Sequence, residues 1–142
     1  KSNKMVAFAD TQSRGAAGMG GRTHLTTNAW DPTENSYAQQ MYESGDKELF
    51  VFYRNPDLVP TLCDERGYPL AFTSKRNRMK ILKYVYEGSW WVNLESIEAE
   101  AAKLVKRDPA QAERFFGNRL VRGMGSWLVE GAWDRAYAGL AA

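Results

Sequence analysis

Cysteine and histidine are nearly absent: the 142-residue chain has one of each, Cys63 and His24. A disulfide within the chain is therefore impossible, and a Cys/His zinc site is excluded. A Ser-His-Asp or Cys-His nucleophilic centre would have to be built on His24. That residue sits among alternating strand-like positions and reads as structural. Cys63 lies beside Asp64 and Glu65 and lacks the electropositive surroundings that activate a thiol. Such sparse cysteine usage is the pattern of a reducing, intracellular compartment. Long apolar runs are missing as well. None approaches the roughly 20 residues that span a bilayer, and no signal peptide is visible. Charge of one sign is scarce: the net charge is +2 and the pI about 8.7. That balance permits contact with nucleic acid without demanding it. An initiator Met is also missing, and the chain stops straight after a helical pattern, so it reads as an excerpt of a longer protein.

What is present is core material. The sequence is 44% hydrophobic and 13% aromatic, with five Trp, seven Tyr and six Phe, enough for one domain of ordinary size. Residues 4–13 suit the end of a helix. Gly15, Gly18, Gly20 and Gly21 then punctuate the chain. Shifted by one, residues 16–23 read A-x-x-x-x-G-R-T, close to the G-x-x-x-x-G-K-[ST] loop that cradles phosphates. The Lys is missing, however, and the residues that follow suit a strand. The segment is better taken as a connector.

Residues 22–28 alternate polar with apolar or β-branched side chains and predict a strand. Asp31-Pro32-Thr33-Glu34 has the capping residues of a helix start, with Gly45 as its stop. The continuous apolar run Leu49-Phe50-Val51-Phe52-Tyr53 predicts a second, buried strand. Strand, helix and strand in that order form the βαβ unit of a parallel sheet, so the fold class expected is α/β. Pro56, Pro60, Gly67 and Pro69 mark a long loop, and beyond it the pattern is helical. Met79, Leu82, Val85 and Tyr86 share one face. Leu94, Ile97, Ala101 and Leu104 share another behind an Asn93 cap. Asp108-Pro109-Ala110-Gln111 starts a helix carrying Ala112, Phe115, Phe116 and Leu120 up to Gly123, and residues 127–140 suit one more. The division expected is residues 1–56, a connecting loop at 57–74, and a helical part at 75–142.

Two groups of residues carry candidate chemistry. Thr26, Thr27 and Asn28 fall at the C-terminal end of the first expected strand, the edge where open α/β sheets bind ligands. Hydroxyl and amide side chains there could bond a phosphate or an attacking water. Equally, Asn28 and Asp31 could simply organise a turn. The basic run Lys75, Arg76, Arg78 and Lys80, with Lys83 following, could meet a phosphate backbone or be a solvated face. Asp31 and Asp108 are accounted for as caps, and Glu95, Glu98 and Glu100 as the polar side of a helix. No acid–base pair and no metal-ligating set stands out.

The run LTTNAWDPTENSYAQQMYES at 25–44 resembles a stretch of the large terminase subunit of tailed bacteriophages, the ATP-driven motor that packages DNA. A second run, DPAQAERFFGNRLVRG at 108–123, is similar to a helix and its exit in the linker subdomain of that family. The spacing of the two runs also fits, as do the apolar run 49–53 and Trp90-Trp91-Val92. The resemblance covers residues 15–134. It implies a partial parallel sheet from the end of a P-loop ATPase core, followed by a small helical linker subdomain. It also implies that Thr26, Thr27 and Asn28 are the coupling segment that senses the γ-phosphate. ATP and Mg would serve the intact protein and neither would be held by this chain alone. The implied partners are double-stranded DNA, the portal protein and the small terminase subunit, with self-association of the isolated chain as a further expectation. The implied location is the host bacterial cytoplasm, with transient docking on the procapsid portal. Walker A and Walker B residues are missing here, and the nuclease acidic cluster would lie beyond Ala142, so neither enzymatic activity is assigned to this chain. The alternative is a non-enzymatic α/β module that binds protein or DNA.

Overall fold

The computed structural model describes residues 2–123, with side chains from Phe8 onward. Five α-helices run along these residues: α1 Ser2–Gly18, α2 Tyr37–Glu43, α3 Lys75–Val85, α4 Leu94–Arg107 and α5 Pro109–Phe115. Two 3-10 turns, Pro56–Leu58 and Pro60–Leu62, lie between α2 and α3. The helix expected at 127–140 lies outside the described residues.

The α/β expectation is overturned. Among the described residues there is no sheet, only an isolated antiparallel bridge between Cys63 and Pro69. Residues 22–28 are irregular and exposed. Residues 49–53 are irregular and join no ladder; Phe50 and Phe52 face outward at 88% and 77% exposure while Tyr53 is half-buried. β-propensity expresses fit to a neighbouring strand, and this run has none beside it.

The second expected helix is shorter than its capping signals suggest. Asn35 adopts φ 48°, which interrupts a right-handed helix, and Ser36 caps the helix that does form by accepting from the Gln39 N–H. Its end before Gly45 agrees with the sequence. Helix α1 runs through Gly15 and ends only at Gly18, and Gly20 at φ +71° turns the chain out.

From α3 onward the helix starts agree with the pattern, but α3 buries Arg78, Ile81 and Leu82, while Met79, expected on the apolar face, is only half-buried and lies beside the exposed lysines. Asn93 accepts from Ser96 N–H to cap α4, and Asp108 accepts from Gln111 N–H to cap α5. Glu95 lies in the first turn of α4 and Lys106 and Arg107 in its last, each of the sign that complements the helix dipole. Helices α3, α4 and α5 pack in sequence around Phe72, Ile81, Ala101 and Ala112, all at 0–1% exposure. Leu70, Val85, Leu104, Val105 and Phe116 close over them. Ala101 and Ala112 let the helices approach closely. Phe72 and Ile81 supply the apolar area, each contributing about 1.5–3 kcal/mol.

The stretch expected to be a connecting loop thus delivers the central aromatic, Phe72, and the buried Leu62. Helix α5 stops at Phe115 rather than near Gly123 because the chain there folds back across Phe72. A Cβ on Gly117 would lie 2.7 Å from the Glu113 carbonyl oxygen and 3.2 Å from the Phe72 ring. Only glycine fits at that crossing.

Candidate coupling site

Thr26, Thr27 and Asn28 are all exposed, on an irregular segment and not at the end of a strand. The Thr27 hydroxyl donates to the Asn28 carbonyl at 2.9 Å. Immediately after them the chain goes inward: Ala29 and Asp31 are buried, and the Trp30 ring packs at a tilt against Tyr42 at 5.3 Å and Tyr53 at 6.5 Å. Tyr42 and Tyr53 complete the cluster edge-on at 6.0 Å. The coupling candidates are therefore a surface segment anchored by the three residues that follow it.

Asp31 is the chief anchor, and it does not cap a helix. Its Oδ1 accepts from Thr33 N–H at 2.9 Å and from the Thr33 hydroxyl at 2.6 Å, closing a local turn. Its Oδ2 accepts from Gly123 N–H at 2.5 Å and faces the Arg114 guanidinium at 3.4 Å. Arg114 in turn donates to the Val121 carbonyl at 3.0 Å. Burial pushes the Asp31 carboxyl up, but the bonds from Thr33 and Gly123 and the charge of Arg114 outweigh it and hold the group below its ordinary value.

A second tie lies beside the first. Tyr53 OH donates to the Asn118 carbonyl at 2.9 Å, and the Asn118 side-chain amide donates to the Arg54 carbonyl at 2.7 Å. Asn118 has φ 54°, a conformation that asparagine tolerates well. Arg54 continues to α3: it donates to the Tyr84 carbonyl at 3.0 Å, covers the Tyr84 ring at 4.3 Å and pairs with Glu87. Burial raises the Tyr53 phenol, with the charges of Asp57 and Tyr42 adding to it, to about 12.

Because folding favours the neutral phenol, this contribution is complete below pH 10 and is lost as the pH rises from 10 towards 12. We expect Tyr53→Phe to abolish that alkaline loss. A denaturation midpoint still falling with the wild-type slope between those pH values in the variant would remove Tyr53 as its cause.

Arg119 forms a third junction. Its Nη2 donates to the Leu70 carbonyl at 2.7 Å, and its Nε lies 2.8 Å from an Asp57 oxygen without the alignment of a hydrogen bond. Glu113 faces it at 3.6 Å.

The other candidates separate. Lys75, Arg76 and Lys80 are exposed on α3, but Arg78 is not available to a partner. It is 5% exposed and donates to Glu98 Oε1 at 2.7 and 3.0 Å and to the Phe72 and Thr73 carbonyls at 2.9 and 3.2 Å. Glu98, read from its helix period as solvated, is its buried partner. His24 lies exposed outside any strand, and Cys63 Sγ is 3.5 Å from the Val59 carbonyl.

The glycine segment has the wrong polarity for a phosphate. It closes the C-terminus of α1: the N–H groups of Met19 and Gly21 donate to the Ala16 carbonyl, and that of Gly20 donates to Ala17. The N–H groups a phosphate would need are thus committed, at the negative end of a helix dipole. These residues do not fit ATP or its magnesium. No described helix is long and apolar enough to cross a membrane.

Arg114, Asn118 and Gly123 were not marked as site residues by any sequence pattern. All three lie in the run 108–123, which by sequence alone has only a structural role. No protein-family model, curated protein or solved structure matches this chain.

Proposed function

We propose that this chain is the coupling segment and helical linker of a tailed-phage terminase large subunit, which in the intact motor converts ATP hydrolysis into translocation of double-stranded DNA. One observation carries the reading. The runs 25–44 and 108–123, each weak alone, meet at a single buried carboxylate: Asp31, three residues after Asn28, holds Arg114 and Gly123. A shift of the exposed segment 26–28 therefore reaches the exit of α5 through one side chain, without following the 80 or so intervening residues. The Trp30–Tyr42–Tyr53 cluster and the Asn118 tie stiffen the same junction.

ATP and its magnesium belong to other parts of the intact protein on this reading, and this chain supplies the mechanical link. Portal protein and small terminase subunit are the partners of the assembled motor, which works at the procapsid portal in the host cytoplasm.

The reading is tested in the full-length motor. Asn28→Ala, whose side chain is exposed and whose loss leaves the junction intact, should bind ATP as before and hydrolyse it without packaging DNA in proportion. Normal packaging velocity in that variant would show that residues 26–28 have no coupling role.

A further inference from the structure

One face of α3 collects positive charge and nothing to cancel it. Lys75, Arg76, Lys80 and Lys83 line a shallow, open groove together with Met79, and no carboxylate borders it. All four cations are exposed, and among the described residues none forms an ion pair. The remaining cation of the segment, Arg78, points the other way into the core with Ile81 and Leu82. The helix thus sorts its basic residues: one is structural, and four are left facing solvent. Neutral surfaces are cheaper to build, since like charges on adjacent turns of a helix repel by a few tenths of a kcal/mol per pair.

We infer that this face of α3 is a contact surface for the phosphate backbone of a DNA duplex, read without regard to sequence. The dimensions agree. Residues 75 to 83 rise about 12 Å along the helix, and one strand of a duplex carries a phosphate about every 3.4 Å of axis. Three to four phosphates therefore lie along the length that presents four cations.

An anionic membrane is a poorer fit. Surface-lying helices bury an apolar face into the bilayer, whereas the apolar face of α3 is already occupied by the protein core and Met79 is the one apolar side chain in the groove. Three of the four cations in the groove are lysines, which meet a phosphate as compact point charges rather than as planar forks. The inference rests on the DNA-motor reading only for its biological setting. The contact itself is a property of α3.

The test is duplex binding by the full chain as a function of salt, without nucleotide. Four phosphate contacts predict a slope of log K against log[salt] near −3.6, or about a 150-fold loss of affinity between 50 and 200 mM salt. Arg76→Gln with Lys80→Gln should halve the slope, leaving about a 12-fold loss over the same range. The charge-matched variant Lys103→Gln with Lys106→Gln, on the exposed side of α4, should keep the full slope.

Equal slopes in the two double variants would overturn the assignment, as would no duplex binding at 50 mM salt. Competition by polyglutamate as effective per charge as duplex DNA would make the partner an acidic protein instead. Retained helical circular dichroism confirms that each variant is folded. Failure here leaves the Asn28→Ala experiment untouched, because that variant reports on hydrolysis and packaging and not on α3.

Discussion

Replacing Arg78 by Met is expected to destabilise the helical body by about 3–5 kcal/mol, because it leaves the Glu98 carboxylate buried without a partner. The side chains of the pair are 6% and 9% exposed and meet at 2.7 Å. The same guanidinium also satisfies the Phe72 and Thr73 carbonyls, so one substitution strips donors from three acceptors. Against a total stability of about 5–15 kcal/mol for a domain of this kind, that loss moves the denaturation midpoint far down.

The comparison that gives the number meaning is Lys103→Met. Lys103 meets Glu100 at the same 2.7 Å, but with side chains 73% and 63% exposed, and such pairs contribute about 0.2–1 kcal/mol. Chemical denaturation followed by helical circular dichroism reads both variants. If Arg78→Met cost no more than Lys103→Met, the buried Arg78–Glu98 pair would not be what ties α3 to α4. Adding Glu98→Met to Arg78→Met should recover part of the loss, since it removes the orphaned charge but not the two orphaned carbonyls.

Asp31→Ala is expected to act locally. The carboxylate accepts from two backbone N–H groups and a hydroxyl and faces a guanidinium, and hydrogen bonds to a charged group contribute about 1.5–3 kcal/mol each. With partial compensation by water, opening of the junction should become easier by about 2–3 kcal/mol. Amide exchange at residues 29–43 and at Gly123 should then accelerate about 30- to 150-fold. Exchange within α4 should be unchanged, because Asp31 touches nothing there.

The pH dependence has a definite sign. A carboxyl held below its ordinary value stabilises fully above pH 3.8, and the contribution is lost as the pH falls through the lowered value. Wild-type protection at Gly123 should decline over that acid window, while the alanine variant stays flat. A uniform change in exchange across the chain, or none at all, would remove Asp31 as the link between the segment after Asn28 and the end of α5.

Where signals were local, sequence alone located the elements. Asn93 and Asp108 are side-chain caps that act within three residues, and the apolar spacing of α3 and α4 needs no distant partner to be read. The helices following them start where the pattern puts them, although α5 ends sooner. The α/β expectation failed for the opposite reason. The run 49–53 has every compositional mark of a strand, but a strand exists only if another lies beside it, and among the described residues none does. Likewise Asp31, Pro32 and Glu34 hold the residue types of a helix start. The carboxylate is drawn instead to Gly123, 92 positions along the chain, and Asn35 turns left-handed before the helix begins.

Charge shows the same division. The sequence determined that residues 75–83 are rich in cations on a helix. Only tertiary packing decided that Arg78 belongs to the core and the other four to solvent, because that depends on Glu98, 20 residues away, arriving on α4 at the right height. Capping, periodicity and net charge are properties of neighbours in the chain and are written in it directly. Which buried charge finds which partner is decided by where the helices cross, and so are the junction at Asp31 and the exposed basic face.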